Sequence, residues 1–465
     1  MLALILLLAA QQEPSDIDTA IRRLSTVYAL VERQAATPVS PHQALYEGAI
    51  PSMLRQLDPH SIFLPPEQFQ QLREMEKSTH KGFGTVVTVL PGRVIVLQTL
   101  AGTPASRAGL EAGDEIVMIN GIPLDRLDME QLVGLLGETR QREAQLGVRR
   151  QGTGRLLPFT LKPEDLASET VDRAFVLRPG VGYVRITSFE SETTKQLRDA
   201  IESLGGASLK ALVLDVRNNP GGLMPPALEA AAMLLPAGTK ILTVRGRATE
   251  PQEIKVPEKA VPYSFPVAVL VNGKSASGSE IVAAAVQDHK RGPVIGERTF
   301  GKGLVQSVYN LAGGSGLALT TAFYYTPSGR SIQKPLADSQ LAGATQKAAG
   351  GVTPDHLVTP PALTRLMMVL DATGAFPRFA TEFLRGSPPV TESFEAAGEV
   401  MDRFRAWCSE RKIQPAVSQW FADAAWIRAR LKQEILNQAL GVKKGDEVEM
   451  RADPVVLKAL EALGI

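Results

Sequence analysis

One stretch, Val271–Gln306, reads VNGKSASGSEIVAAAVQDHKRGPVIGERTFGKGLVQ and carries residues that could do chemistry together. Ser277 stands at the mouth of an expected helix. Lys302 stands between Gly301 and Gly303, where a strand is expected to begin. A serine hydroxyl needs a base to become a nucleophile, and a lysine amine can serve if it is neutral. Free lysine has a pKa near 10.4, so bringing it to about 7–8 costs roughly 4 kcal/mol of desolvation. Flanking glycines permit the close backbone approach that would wall the amine off. On a strand, residues 302, 304 and 306 share a face, so Gln306 would point the same way as Lys302 and could orient its amine. The pairing points to a serine hydrolase that works without histidine.

Each residue also has an ordinary reading. Ser277-x-x-Glu280 is a capping box, which opens many helices, and Ser275 and Ser279 are competing hydroxyls. Lys302 could be a surface lysine in a glycine turn. Gly296–Lys302 also matches the first part of a P-loop, but Gly303 stands where the Mg²⁺-binding Ser or Thr belongs, and the following residues read as strand rather than helix. If Ser277 is a nucleophile, the helix start supplies an unpaired N–H, that of Gly278, and a partial positive charge for an oxyanion. A second donor could come from LDVRNNPGGLM, Leu214–Met224, where an apolar strand runs into a Pro-Gly-Gly turn; the plain reading is a strand-to-helix connection. None of the five histidines lies in a triad motif or at a metal-ligand spacing.

The elements that must position these residues follow from patterning. The chain has 465 residues, is 44% hydrophobic and 21% charged, and carries a net charge of +1. That suits about three globular domains and gives no global attraction to nucleic acid or anionic membrane. The single Cys408 excludes an intrachain disulfide and a cysteine metal cluster. Residues 14–78 read as helical, broken at LDPHS. Residues 79–165 form a small β-rich module with one helix near Met129–Leu136. Residues 166–361 alternate strands with helices; the continuous apolar runs ALVLDV and VAVLV suit strands covered on both faces, which predicts an α/β core with parallel strands. Residues 338–352 read as loop. Residues 362–465 read as helices again, with Asp453-Pro454 starting the last one, and Trp407, Trp420 and Trp426 offer either a core or a homodimer contact. The opening MLALILLLAA is too short to span a bilayer and fits a secretory signal over residues 1–12, so export is expected, with membrane contact only through an uncleaved N-terminus.

The motifs, in order, resemble those of the C-terminal processing peptidases, or tail-specific proteases, with an embedded PDZ domain. LDPHSIFLPPEQF resembles the family's N-terminal helical signature, and GTPASRAGLEAGDEIVMINGIPL the heart of a PDZ domain. LDVRNNPGG, SASGSEIVAAAVQD, GERTFGKGLVQ, YYTPSGRSIQ and GGVTPDHLV resemble the protease core. The resemblance implies a serine endopeptidase with Ser277 as nucleophile, Lys302 as general base and Gln306 supporting the lysine. It implies an oxyanion hole from the amides of Gly278, where the family usually has Ala, and of Gly222, with Gly221 as an open alternative. It also implies that Gly82, Phe83, Gly84 and Val86 receive the carboxylate and apolar last residue of a protein's C-terminal tail, added as a strand. No metal, nucleotide or other cofactor is implied. The competing class is a non-catalytic tail- or ligand-binding protein of the same fold.

Overall fold

The computed structural model describes residues 16–76, 79–150, 152–248, 250–336 and 350–465. The signal-like segment and most of the stretch 338–352 lie outside them. The described residues divide into two compact units, one holding residues 16–69, 306–321 and 335–336, the other those within 70–305, 322–334 and 350–465.

The larger unit is built on a six-stranded sheet ordered Val171–Arg178, Val181–Ile186, Ala211–Asp215, Val267–Val271, Val294–Gly296, His356–Leu357. The first pair is antiparallel and the rest are parallel. The two apolar runs singled out in the sequence are its central strands, every residue of each buried. Alternation sends Leu212 and Leu214 to one face, against the helices Thr193–Ser203, Met224–Ala232 and Gly278–Asp288. Ala211 and Val213 go to the other face. That second face is covered by the end of the chain: Met450, Val455, Val456, Ala459 and Leu460, from the helices Val442–Ala452 and Pro454–Ala462, pack on it. Asp453 caps the last helix by accepting the N–H groups of Val455 and Val456.

The β-rich module is a sheet of Thr85–Leu90, Arg93–Thr99, Glu115–Ile119, Ala144–Arg149 and Leu156–Leu161 around its own core. Thr85–Leu90 is its edge strand. The helix Met129–Thr139 begins in a capping box between Asp128 and Gln131. The three tryptophans contribute to one helical core, Trp426 from its partly exposed edge. Trp407 and Trp420 are buried with Phe404, and Trp426 meets Phe376 edge-on; the aromatic residues of this region satisfy one another in a single helical core.

In the smaller unit the LDPHS break is a buried polar knot. Asp58 Oδ1 accepts the N–H groups of His60 and Ser61 at 2.7 and 2.9 Å, and Ser61 Oγ donates to Oδ2 at 2.6 Å. Thr320 joins through its own N–H, to Ser61 Oγ, and its hydroxyl, to Asp58. The knot turns the chain from the helix Ile50–Leu57 into a short strand, Ile62–Leu64, paired antiparallel with Gly316–Ala318.

Cys408 is fully buried, and burial pushes its thiol up to about 12, with Arg411 pulling weakly the other way. A maleimide should therefore leave native protein unlabelled at pH 8 and label one site per chain once denaturant is added. Rapid native labelling would contradict this packing.

Candidate active site

Ser277 lies between the strand Val267–Val271 and the helix Gly278–Asp288, with φ 52° and ψ −112°. A non-glycine residue at positive φ costs about 1–3 kcal/mol and persists only where its surroundings fix it. Such a strained strand-to-helix turn lifts a side chain out of the local backbone. The three neighbouring serines separate accordingly. Ser275 Oγ donates to the Val216 carbonyl at 2.7 Å, and Ser279 Oγ donates to the Asn219 carbonyl at 3.0 Å; both are fully buried. Ser277 is partly exposed, and its hydroxyl makes no cap on the helix it begins.

Lys302 is half-buried. The following strand is Leu304–Asn310, so the expectation that it starts at the lysine was early by one turn of the pleat. The reason lies in the backbone donors. The N–H groups of Gly301 and Lys302 go to Glu280, and that of Gly303 to Gln333 Oε1 at 2.9 Å. Side chains thus take the amides that a ladder would need. Both glycines are sterically required: a Cβ at 301 would lie 3.0 Å from the Gly351 nitrogen, and one at 303 would lie 2.9 Å from the Gln333 nitrogen. No helix follows the lysine, as a P-loop would demand.

Glu280, which the sequence offers only as half of a capping box, joins the two segments. It has no exposure to solvent. Its Oε2 accepts the Ser277 N–H and the Lys302 N–H, each at 2.8 Å. Its Oε1 accepts the Gly301 N–H at 2.7 Å and the Thr299 hydroxyl at 2.5 Å. The backbones of Ser277 and Lys302 therefore meet at one oxygen atom. Burial pushes the Glu280 carboxyl up, while these four donors hold it down. On the carbonyl side, the buried Tyr324 hydroxyl lies 3.0 Å from the Ser277 oxygen and 2.6 Å from the Lys302 oxygen. Burial first, then the Glu280 charge, raises this phenol well above its usual range, so it stays a donor.

The Asn218–Gly222 turn follows the neighbouring strand Ala211–Asp215 and is tied to the serine loop. The Asn219 carbonyl accepts the Ala276 N–H at 3.0 Å, and Asn218 and Asn272 pair through their side chains. Gly221 packs directly on the serine: a Cβ there would lie 2.7 Å from the Ser277 Cβ. Its N–H is already given to Asn219 Oδ1 at 2.8 Å. Among the described residues the N–H groups of Gly222 and Gly278 have no acceptor. Gly222 is pressed against Phe189, with room for no Cβ.

The other expected residues belong to other elements. Gln306 is part of the smaller unit, where its Nε2 donates to the His60 carbonyl at 2.7 Å. Gly82, Phe83 and Gly84 lead into the β-module's edge strand, which carries Val86. Gly84, at φ 74°, sits against Thr103, while Phe83 packs on the module core. His289 is exposed, its Nε2 2.7 Å from the Lys240 carbonyl. Among the described residues no cluster of His, Cys, Asp and Glu could hold a metal ion.

Comparison with known proteins sets this geometry in a family. Residues 180–358 match the model of peptidase family S41, and residues 95–150 match a PDZ domain. The chain is 32% identical over 341 residues to a carboxyl-terminal-processing protease of Synechocystis sp., covering 72% of this chain and 76% of that protein. It is 33% identical over 346 residues to the carboxy-terminal-processing protease of Bartonella bacilliformis, covering 73% and 75%. The chain belongs to the carboxyl-terminal processing proteases. It is therefore a serine-type endopeptidase of family S41 with an embedded PDZ domain, and the non-catalytic alternative gives way. A carboxy-terminal processing protease of Bacillus subtilis aligns over 97% of this protease and 91% of its own length at 26% identity. Among solved structures, a photosystem II D1 C-terminal processing protease is 29% identical over 75% of this chain and 90% of that one, with a TM-score of 0.42.

Glu280→Gln tests the clamp. An amide cannot accept on both ends, so one pair of buried N–H or O–H donors loses its partner, at about 1–3 kcal/mol. Both the unfolding midpoint and the cleavage rate should fall. A variant with wild-type stability and rate would show that the carboxylate is dispensable.

Proposed function

We propose that this protease cleaves protein chains whose C-terminal tails it holds in its PDZ domain, through an acyl-enzyme formed on Ser277 with Lys302 as general base. The observation that carries the reading is the Glu280 oxygen shared by the Ser277 and Lys302 amides. It fixes a strained, partly exposed serine beside a half-buried lysine while the two neighbouring hydroxyls are consumed in the interior.

In the reaction, neutral Lys302 Nζ takes the Ser277 proton as Oγ attacks the scissile carbonyl. The resulting oxyanion is received by the N–H groups of Gly278 and Gly222. Gly222 is preferred to Gly221 because the latter's N–H is spent on Asn219. Donors of this kind contribute several kcal/mol to the transition state. The lysine then returns the proton to the leaving amine, which departs as the new N-terminus. Water, deprotonated by the same lysine, releases the ester and restores the serine. The part given to Gln306, holding the lysine amine, rests on the family pattern.

The PDZ reading is supported by the edge strand Thr85–Leu90, to which a peptide can add, and by the Gly82–Gly84 segment before it. Val86 and Phe83 would then receive an apolar last residue. Export to the periplasm or cell envelope is proposed from the apolar N-terminus; among the described residues no helix is long and apolar enough to cross a membrane.

Ser277→Ala and Lys302→Ala should each abolish cleavage of an unstructured protein ending in apolar residues, while their unfolding midpoints stay near wild type. Full activity in Lys302→Ala would remove the dyad. Because the base must lose its proton, kcat/KM should rise with pH and then level; a rate that falls as pH rises from 6 to 9 would contradict a lysine base. Val86→Asp should raise KM for the tail-bearing substrate by about tenfold, the equivalent of one apolar side chain's burial, at unchanged kcat. Equal KM values for wild type and variant would exclude Val86 from the tail pocket.

A further inference from the structure

The turn that offers the Gly222 amide stands on Arg217, and Arg217 is held from two directions. Behind it is Asp215, the buried end of the strand Ala211–Asp215. This carboxylate receives the Tyr183 hydroxyl at 2.6 Å, the Arg217 N–H at 2.8 Å and Arg217 Nη2 at 2.6 Å. In front is the end of the chain: Arg217 Nη1 donates to Asp453 Oδ2 at 2.8 Å. The other Asp453 oxygen caps the helix Pro454–Ala462, whose Val455, Val456, Ala459 and Leu460 are buried on the sheet. A cavity of about 240 Å³, bordered by Arg217, Asn218, Asn272 and Asp453, adjoins this pair. The guanidinium thus has polar space to enter if Asp453 releases it. Asn218 and Asn219, the next residues, are bonded to Asn272, Ala276 and Ser279 of the serine loop. A shift at Arg217 therefore reaches the side of the turn that faces Ser277.

We propose that Asp453 is a positioning residue for the oxyanion turn, so that the last helix of the chain, more than two hundred residues downstream in sequence, sets the aim of the Gly222 amide. The inference rests on the reading of Gly222 as an oxyanion donor. Charge-assisted hydrogen bonds of this kind are short and directional, and small misplacements of a preorganised donor are costly in rate. Asp453 acts on the transition state through Arg217 and touches no substrate itself.

The test uses the full-length chain and two substitutions that keep the helix cap. Asp453→Asn retains an N-cap acceptor but removes the charge facing Arg217. Asp453→Ser also caps, and its side chain is one atom too short to reach the guanidinium. Both should lower kcat by about tenfold or more with KM unchanged and an unfolding midpoint close to wild type. Both should also bind a peptide aldehyde, whose hemiacetal oxyanion needs the same donors, more weakly by a similar factor. Glu461→Ala, on the exposed face of the same helix, should change neither. Wild-type kcat and aldehyde affinity in both Asp453 variants, with Ser277→Ala inactive, would overturn the inference and leave the serine reading standing. Activity in Ser277→Ala would overturn the reading itself. A loss of kcat that tracks the unfolded fraction and vanishes on cooling would make Asp453 structural only and overturn the proposal.

Discussion

A carboxylate without access to water holds the candidate active site of this protease together. Burying an ionised group is unfavourable unless donors replace its hydration, and Glu280 receives four, two on each oxygen. The donors come from three places in the sequence: the serine turn, Thr299, and the Gly301-Lys302 amides. The folding of each place is thereby conditional on the others, because any one donor missing leaves the remaining charge less compensated. This shared dependence is what can sustain the positive φ of Ser277. The turn cannot relax without pulling its N–H from an oxygen that also holds Lys302. Tyr324, near both carbonyls, closes the opposite side. Backbone position at both residues is set by these contacts.

The sheet explains why the two loops meet. Ala211–Asp215 and Val267–Val271 are parallel neighbours in register from Leu212 and Val267 to Asp215 and Leu270. Their carboxyl ends therefore lie side by side, and the loop leaving one strand faces the loop leaving the other. One strand runs into the glycine turn, the other into the serine turn. Such strands need cover on both faces. The intervening helices supply one face, and Met450 with the last helix supplies the other. The end of the chain is thus a structural layer of the protease core, and the Arg217–Asp453 contact lies at its edge.

Much of this was legible because it is local. The fully apolar runs gave the central strands, and Gly-Lys-Gly with Ser-x-x-Glu marked both halves of the site. Local pattern left Ser275, Ser277 and Ser279 competing, and the preference for Ser277 came from the family resemblance; physically the difference depends on which hydroxyls find carbonyls from Val216 and Asn219, more than fifty residues upstream. The start of the strand after Lys302 was misplaced for a similar reason. Strand propensity begins at the lysine, but the amides there are taken by Glu280 and Gln333. The open choice between Gly221 and Gly222 turns on one side-chain acceptor, Asn219 Oδ1, whose direction no pattern encodes. The tryptophans looked equally suited to a core or an interface, since hydrophobicity alone does not say what covers a side chain. The covering of the sheet by the final helices was also invisible, because amphipathic periodicity shows that a helix has an apolar face without naming its partner.

Phe189 gives a physical reason for glycine at position 278. The buried Phe189 forms a strand-like bridge to the glycine turn: its N–H donates to the Gly221 carbonyl at 2.9 Å, and its carbonyl accepts the Leu223 N–H at 2.7 Å. Its ring reaches across to the helix start, where a Cβ on Gly278 would lie 2.9 Å from Phe189 Cδ2 and 3.0 Å from the Ala227 Cβ. Phe189 thus touches both glycines, Gly222 through its backbone and Gly278 through its ring. The volume that a Cβ at 278 would occupy is already taken by the ring and by Ala227. Adding a methyl at 278 with Phe189 in place would push the ring, and with it the turn that holds Gly222. A smaller side chain at 189 would relieve the contact with the ring but leave that with Ala227. The helix start at Gly278 is therefore packed without a side chain of its own, by Phe189 on one side and Ala227 on the other.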